Sequence, residues 1–591
     1  MQVVEAVAPM HKAMEHSSVE NTQVEAAIER LVTGAGKWAA LGPAGRRDYL
    51  KKVKARLSRM DFLKWSTGSA HTQGIDPSTP AGAAQIGVEC VTLASIANGQ
   101  MSRLATTLGA LASKSAQPSL QTKAEDGKRV VKTFPLGFKD KYTNPFGLAG
   151  WGVHVHQRVE ALDPAASGRE AVATACDGQV CVVLGAGNQD FLTLVDCLDK
   201  LFVHACAVVV KHHPLREHQH PFFADLFAPL IEVGAFASVV GDASVGKALT
   251  CHPAVSKIHL TGGAATHDAI VWGAANDPES SKRRAANTPL CTKEVSSELG
   301  CVTPWLLVPD AAWTRDELKH HAWQLANCLV ANASCNCLSP KALLLPKGWR
   351  GSDDFVDELK AALTSIPTAV PYYPGTHGRY AAFADEYPDA KAYGGPPTTA
   401  AAADAVARFG SCLPCLVIEK DDCDCSLDES CLQREAFAPV LGIVRVGTGA
   451  EPNSAPAFLA AACAFANERV WGSLSCTVLI HPATEAAHAD EVRSALSTLR
   501  YGCVAINVWT ALGYAIETAV WGGHPASNTL TDNQSGIGFV RNCLMLKGVD
   551  KCIVRSPFRS KLHITTNPKD LTMGPRTFRF MGSLARWIAW A

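Results

Sequence analysis

Between residues 179 and 263, short apolar runs alternate with amphipathic stretches over loops of a few residues. That alternation restricts the fold to a parallel α/β sheet, because parallel neighbours need a crossover between them and a helix is the usual one. Residues 179–184 form a buried strand, 191–204 an apolar helix and 205–211 a second strand ending on Lys211. A helix over 221–233 leads to a short strand over 237–241. Asp242 then caps another helix, and 257–261 closes the series. Strands this continuously apolar are covered on both faces. Further strands are expected over 301–308, 342–346, 414–418, 440–446, 475–480 and 503–508. Upstream, Val24, Ala27, Ile28 and Leu31 give residues 19–65 a helical face. Residues 111–129 are polar and read as an exposed connection. From 130 to 160 the pattern is strand-like, alternating at period two from Trp151 onward.

A chain of 591 residues exceeds one ordinary core, so several domains are expected. Its 55 basic and 55 acidic residues cancel, which argues against nucleic acid or an anionic membrane surface as partner. No stretch approaches the ~20 uninterrupted apolar residues of a bilayer span. Residues 1–22, with Glu5, Glu15 and Glu20, lack the apolar centre of a leader peptide. The 21 cysteines are odd in number and irregular in spacing, which suits a reducing cytoplasm better than a disulfide framework.

The chemistry centres on Asn332-Ala333-Ser334-Cys335-Asn336-Cys337, where two thiols lie one residue apart in a small polar turn between an apolar run and a strand. A thiolate nucleophile needs such a place, near backbone N–H donors. Glu298-Leu299-Gly300 offers a carboxylate at the start of an apolar strand, or simply a turn cap. Leu184-Gly185-Ala186-Gly187-Asn188 lies between strand and helix but lacks the third glycine of a dinucleotide fingerprint. Lys211, His212, His213, Arg216, His218 and His220 crowd ten residues after a central strand: a cationic rim for a phosphate-bearing cofactor, a metal site or a solvated turn. Cys412, Cys415, Cys423, Cys425 and Cys431 have the arithmetic of a zinc knot, yet Leu413 and Leu416 make the first pair part of an apolar strand; no metal is expected.

In their order and spacing these features resemble the NAD(P)-dependent aldehyde dehydrogenase superfamily, over about residues 25 to 555. The loop ending in Cys337 resembles the family's nucleophile loop, Glu298-Leu299-Gly300 its general-base signature, and Asn188 the amide of its oxyanion hole. Val208 to Lys211 resembles the strand whose lysine meets the adenosine ribose, and Glu435-Ala436-Phe437-Ala438-Pro439 the segment holding the nicotinamide ribose and ring. Asn467, Asn507 and Trp521-Gly522-Gly523 match later landmarks. Two positions depart: Cys301 replaces a glycine after Glu298, and the turn Thr261-Gly262-Gly263 ends on His267 where the family has glycine.

The resemblance implies a Rossmann-type cofactor domain (1–137 and 157–296), an α/β catalytic domain (297–540), and a small β oligomerisation element with a tail (138–156 and 541–591). It implies catalytic Cys337, Glu298 and Asn188, and cofactor contacts at Lys211, Gly241, Gly246, Thr261, Gly262, Gly263, Glu435 and Phe437. The cofactor is NAD or NADP; with no carboxylate within five residues of Lys211 and Arg216 near, a 2′-phosphate on Arg216 is expected. The substrate is a small aldehyde oxidised to an acid, and the chain is a cytoplasmic homodimer or homotetramer built through strands near 151–159 and 547–554. A CoA-acylating reductase and a non-catalytic binding protein are the alternatives.

Overall fold

The structure, a computed structural model, describes residues 4–113, 120–142, 144–158, 178–396, 401–449, 451, 453–527, 529–560 and 575–590. Five parallel strands run in the order Glu294–Glu298, Lys257–Thr261, Val180–Leu184, Ala207–Lys211, Phe236–Val239, with Gly536–Ile537 antiparallel at the edge. Period two divides each central strand between two cores. Val180, Val182, Ala207 and Val209 face Val24, Ile28, Leu31 and Ala35 of the first helix, Val4–Ala40. Cys181, Val183, Val208 and Val210 face the helices on the opposite side, including Pro80–Ala112. The chain winds outward through Phe236–Val239, then returns across Val180–Leu184 to start the other half at Lys257–Thr261. The crevice beyond the carboxyl ends at that reversal is where open α/β sheets bind ligands.

The second sheet has eleven strands. Its parallel centre runs Val549–Arg555, Cys503–Ile506, Ser475–Leu479, Pro304–Leu307, Ala342–Pro346, Val440–Val446, Cys415–Asp421, and Lys391–Tyr393 ends it antiparallel. At the other end, Gly152–Arg158 pairs antiparallel with Val549–Arg555, followed by Lys128–Phe134 and Thr122–Glu125. The segment after 535 stitches the sheets together: Gly536 lies opposite Glu298, and Val540 lies opposite Trp521 in a two-stranded ribbon.

Several expectations shift. The polar stretch expected as a connection over 111–129 contains Thr122–Glu125 and the start of Lys128–Phe134, because a tight Asp126-Gly127 turn, both residues at positive φ, closes a hairpin. Residues 114–119 lie outside the described residues. Short helices Phe138–Tyr142 and Pro145–Leu148 interrupt the strand pattern expected over 130–160. The strand Lys128–Phe134, expected with the cofactor half, belongs to the large sheet. The strands expected to reach a partner near 151–159 and 547–554 pair with each other inside the chain, which leaves Thr122–Glu125 as the outer edge; Val159 lies outside the described residues. Pro80–Ala112 is the one described helix long and apolar enough to cross a membrane, and more than half of its most apolar window is buried in the fold.

Candidate active site

The loop carrying the two thiols leaves the helix Arg315–Val330 through three consecutive residues in the left-handed region, Asn332 (φ 55°), Ala333 (φ 51°) and Ser334 (φ 61°). Non-glycine residues pay roughly 1–2 kcal/mol each for this conformation, so surrounding contacts must hold the turn. They do. Asn332 Nδ2 donates to the carbonyls of Asn188 (3.0 Å) and Cys335 (2.9 Å). The buried Lys341 ammonium donates to Ser334 Oγ (2.6 Å) and its carbonyl (3.2 Å), and Ser334 Oγ meets Ser339 Oγ at 3.0 Å. Beyond the loop, Trp509 Nε1 donates to Leu338 O at 2.6 Å.

This turn separates the thiols. Cys335 is wholly buried, its Sγ 3.7 Å from Thr376 Oγ1 and 4.0 Å from the Phe437 carbonyl. Cys337 is partly exposed, and its Sγ lies 3.8 Å from Glu298 Oε1. Burial, then the Glu298 and Glu435 carboxyls, push the Cys337 thiol well above its ordinary range. Glu298 ends its strand and is raised to about 8 by burial and by Asp196, against the lowering influence of Trp521 and Cys337. In free solution neither group would share the other's proton; enclosed together they can.

Asn188 closes the crevice from the other sheet. Its Nδ2 donates to Cys335 O at 3.3 Å, and its own carbonyl accepts from Asn332 Nδ2 and from the Tyr372 hydroxyl at 2.9 Å. Glu435 accepts from Cys301 N at 3.2 Å and presses on Gly300, where an added Cβ would lie 1.9 Å from its carboxylate. Burial raises Glu435 to about 7 against the pull of Lys341. Phe437, at φ 44°, packs on Tyr373 with ring centres 5.0 Å apart, and Tyr373 stacks on His213 at 5.7 Å. Tyr372, Tyr373, Lys341 and Arg379, whose guanidinium braces the Ala436 and Phe437 carbonyls, carry no motif and were not legible as site residues.

The expected cofactor residues cluster at the carboxyl ends of the smaller sheet. Lys211 ends its strand in register with Leu184 and Val239. Gly241, at φ 137°, turns the chain into the helix Ala243–Cys251, where Gly246 packs over Leu184. Thr261 Oγ1 donates to Asp196 at 2.8 Å. Gly263 begins the helix Ala264–Val271 with no side-chain cap and open space around it, so uncapped N–H groups face outward, an arrangement suited to a phosphate. His267, in the place of the lost glycine, is wholly buried beneath that helix, 2.6 Å from Asn533 Nδ2, and leaves the turn clear. Cys301 is accommodated by Gly472, at φ 102°, whose absent Cβ would sit 2.8 Å from the Cys301 sulfur.

The cationic rim is a correction. Arg216 is wholly buried: Nε donates to Gly187 O (2.9 Å), Nη1 to Asp190 (2.9 Å) and Ser69, and Nη2 reaches the Tyr372 hydroxyl (3.5 Å). It braces the turn after the first strand and has no fork left for a 2′-phosphate. His212 and His220 both meet Ser238 Oγ, and burial lowers His212 to about 3 and His213 and His218 to about 4, so these imidazoles are neutral. The zinc arithmetic also fails to assemble. Cys415 points into the large core and Cys431 packs against Gly442; among the described residues the one cluster with ligand-like spacing is Asp421, Cys423 and Asp424.

Among solved structures, aldehyde dehydrogenase C from Pseudomonas syringae, solved with NAD+ and octanal, is 16% identical over 92% of this chain and 90% of its own, at a TM-score of 0.58. Gamma-glutamyl-gamma-aminobutyraldehyde dehydrogenase from Burkholderia cenocepacia is 18% identical over 90% and 88%, at 0.56. NADP-dependent glyceraldehyde-3-phosphate dehydrogenase from Bacillus halodurans, complexed with NADP, is 16% identical over 91% of each chain, at 0.56. At such identity these likenesses establish the fold. No curated protein matches by sequence. The model of the aldehyde dehydrogenase family matches residues 180–549, the span that holds the crevice, the thiol loop and Glu298, and the chain belongs to that family.

Proposed function

We propose that the protein oxidises an aldehyde to a carboxylic acid with NAD or NADP, with Cys337 as nucleophile. The observation that carries this reading is the 3.8 Å approach of the Cys337 thiol to the Glu298 carboxyl inside the crevice between the sheets. Glu298 takes the thiol proton, and the sulfur adds to the aldehyde carbonyl. The amide of Asn188, with the backbone N–H of Cys337, stabilises the oxyanion that forms; losing one such donor typically costs roughly 3–4 kcal/mol of barrier. The nicotinamide, when bound, accepts the hydride. Glu298 then draws a proton from water, and the water displaces the cysteine as the thioester is hydrolysed.

The cofactor assignment is supported by the uncapped helix at Gly263 and by the neighbours solved with NAD+ or NADP. Lys211, Gly241, Gly246, Thr261, Gly262 and Gly263 would hold its adenosine and phosphates, and Glu435 and Phe437 its nicotinamide end. In this reading the N-terminal helices and smaller sheet form the cofactor domain, and the centre of the larger sheet the catalytic domain. The chain also self-associates, in the cytoplasm, through the exposed edge at Thr122–Glu125. The test is absorbance at the reduced-nicotinamide wavelength, with a panel of aldehydes and each cofactor; no reduction with any pair overturns the reading.

A further inference from the structure

Arg541 is wholly buried, yet none of its three guanidinium nitrogens has a hydrogen-bond partner. It is held there by the chain: at φ 58° it directly follows the ribbon in which Val540 lies opposite Trp521. The same segment begins with Gly536 opposite Glu298. Five residues therefore connect the backbone partner of the proposed base to this arginine. Its guanidinium lies over the Tyr514 ring, 4.8 Å from the centroid. Tyr514 in turn packs edge-on against Trp521 (5.1 Å) and tilted against Phe191 (5.6 Å), three residues after Asn188.

An enclosed guanidinium with no counter-charge is expensive: burial without a partner costs several kcal/mol, and an aromatic face returns about 2. Beside it the Tyr514 hydroxyl is also buried without a partner. The group is thus rich in donors, with up to five guanidinium N–H and one O–H. Two carboxyls nearby do not meet it. Asp196 is engaged by Thr261 and His259, and Glu298 by Cys337. The Tyr514 phenol is influenced from both sides, lowered by Arg541 and raised by Glu298, Asp196 and Cys337, which places it between the arginine and the reacting pair. Full enclosure excludes a solvent counter-ion. The matching acceptor has to arrive with whatever fills the crevice.

We propose that Arg541 and the Tyr514 hydroxyl form an oxyanion-binding subsite for the far end of the substrate, so that the preferred aldehydes carry a carboxylate or phosphate. The inference rests on the proposed aldehyde oxidation at Cys337. A guanidinium fork suits both anions, and pairing it inside the protein favours such a substrate by about 30-fold or more over an uncharged one.

The experiment measures kcat/KM for a four-carbon aldehyde ending in carboxylate, its uncharged counterpart ending in methyl, and a phosphorylated three-carbon aldehyde. Wild type should favour one of the anionic aldehydes about 30-fold or more, and which one identifies the group. Arg541→Met should bring the ratio close to one, and Arg541→Lys should retain part of it. In parallel, a short dicarboxylate or inorganic phosphate should raise the melting temperature of wild type and not of Arg541→Met. Should Arg541→Met fail to fold, the wild-type ratio and Arg541→Lys carry the test. A wild-type ratio near one, with uncharged aldehydes well oxidised, overturns the subsite alone. No turnover of any aldehyde overturns the oxidation at Cys337, and the anion-dependent melting shift then judges the subsite by itself: present, it stands; absent, it falls too.

Discussion

Cys337 Sγ and Glu298 Oε1 stand 3.8 Å apart, and burial favours the protonated form of both. One proton moved between them arms the sulfur, and its return path leads through the same carboxyl. Replacing Cys337 with Ser should abolish dehydrogenase activity while the protein still folds and binds cofactor. Cys335→Ser should keep most of it, because that thiol is shut against Thr376. Steady-state rates of the two variants check this, and a reversal would move the nucleophile.

Glu298→Gln should allow one turnover and then stall, since an amide cannot draw a proton from the attacking water. A burst of reduced cofactor near one per site, followed by little steady rate, is the expected trace. If the burst is lost as well, Glu298 belongs to the first half-reaction or to structure.

The same carboxyl sets a pH dependence. Its folded pKa is about 8 against an ordinary 4.5, and only the deprotonated form is a base, so kcat should climb as pH rises through about 8. Stability moves the other way. The folded state binds this proton more tightly than the unfolded chain, so the group's stabilising contribution is full below pH 4.5 and is lost as pH rises through about 8. Melting curves of wild type and Glu298→Gln from pH 5 to 9 should converge at the acid end and separate at the alkaline end, with the variant more stable there.

Arg216→Ala should destabilise the protein and leave cofactor preference unchanged. Removing this guanidinium strands the buried Asp190 carboxylate and frees the Gly187 carbonyl, a change of about 3–5 kcal/mol when a buried pair is broken. Denaturant midpoints and kcat/KM with NAD and NADP measure the two effects separately. A selective loss of NADP use would return Arg216 to the cofactor.

Light scattering at micromolar concentration should give a mass above the 62.7 kDa of one chain. A proline at Lys123 in the exposed outer strand should lower it, because proline cannot donate to a ladder. A mass of one chain for wild type counts against self-association.

Chemistry that resides in a short run of chain was legible. The thiol loop, Glu298, Asn188 and Lys211 each sit at a strand end that hydrophobic periodicity marks, and the structure brings Cys337, Glu298 and Asn188 to one crevice. Direction was not legible. Arg216 and its neighbouring histidines read as a cationic surface, but a charge in a sequence carries no sign of whether it faces solvent or Asp190. Arg541 stood in no motif, because its position depends on a ribbon formed with residues nineteen or so places earlier. The pairing of Gly152–Arg158 with Val549–Arg555 was equally hidden, since alternation marks a strand without naming its neighbour.

That last pairing also sets a timetable. Gln157 Nε2 donates to Lys547 O across 390 residues of chain, and the hairpin holding Gln157 finds its neighbour only when the final strand has been made. During synthesis at about 5–20 residues per second, Gly152–Arg158 therefore waits tens of seconds with one ladder face open. Contacts so distant in sequence slow folding, and an open strand edge invites foreign pairing meanwhile. A chain ending before Val549 would make the nucleophile loop and its partners in full and still emerge as an aggregating product.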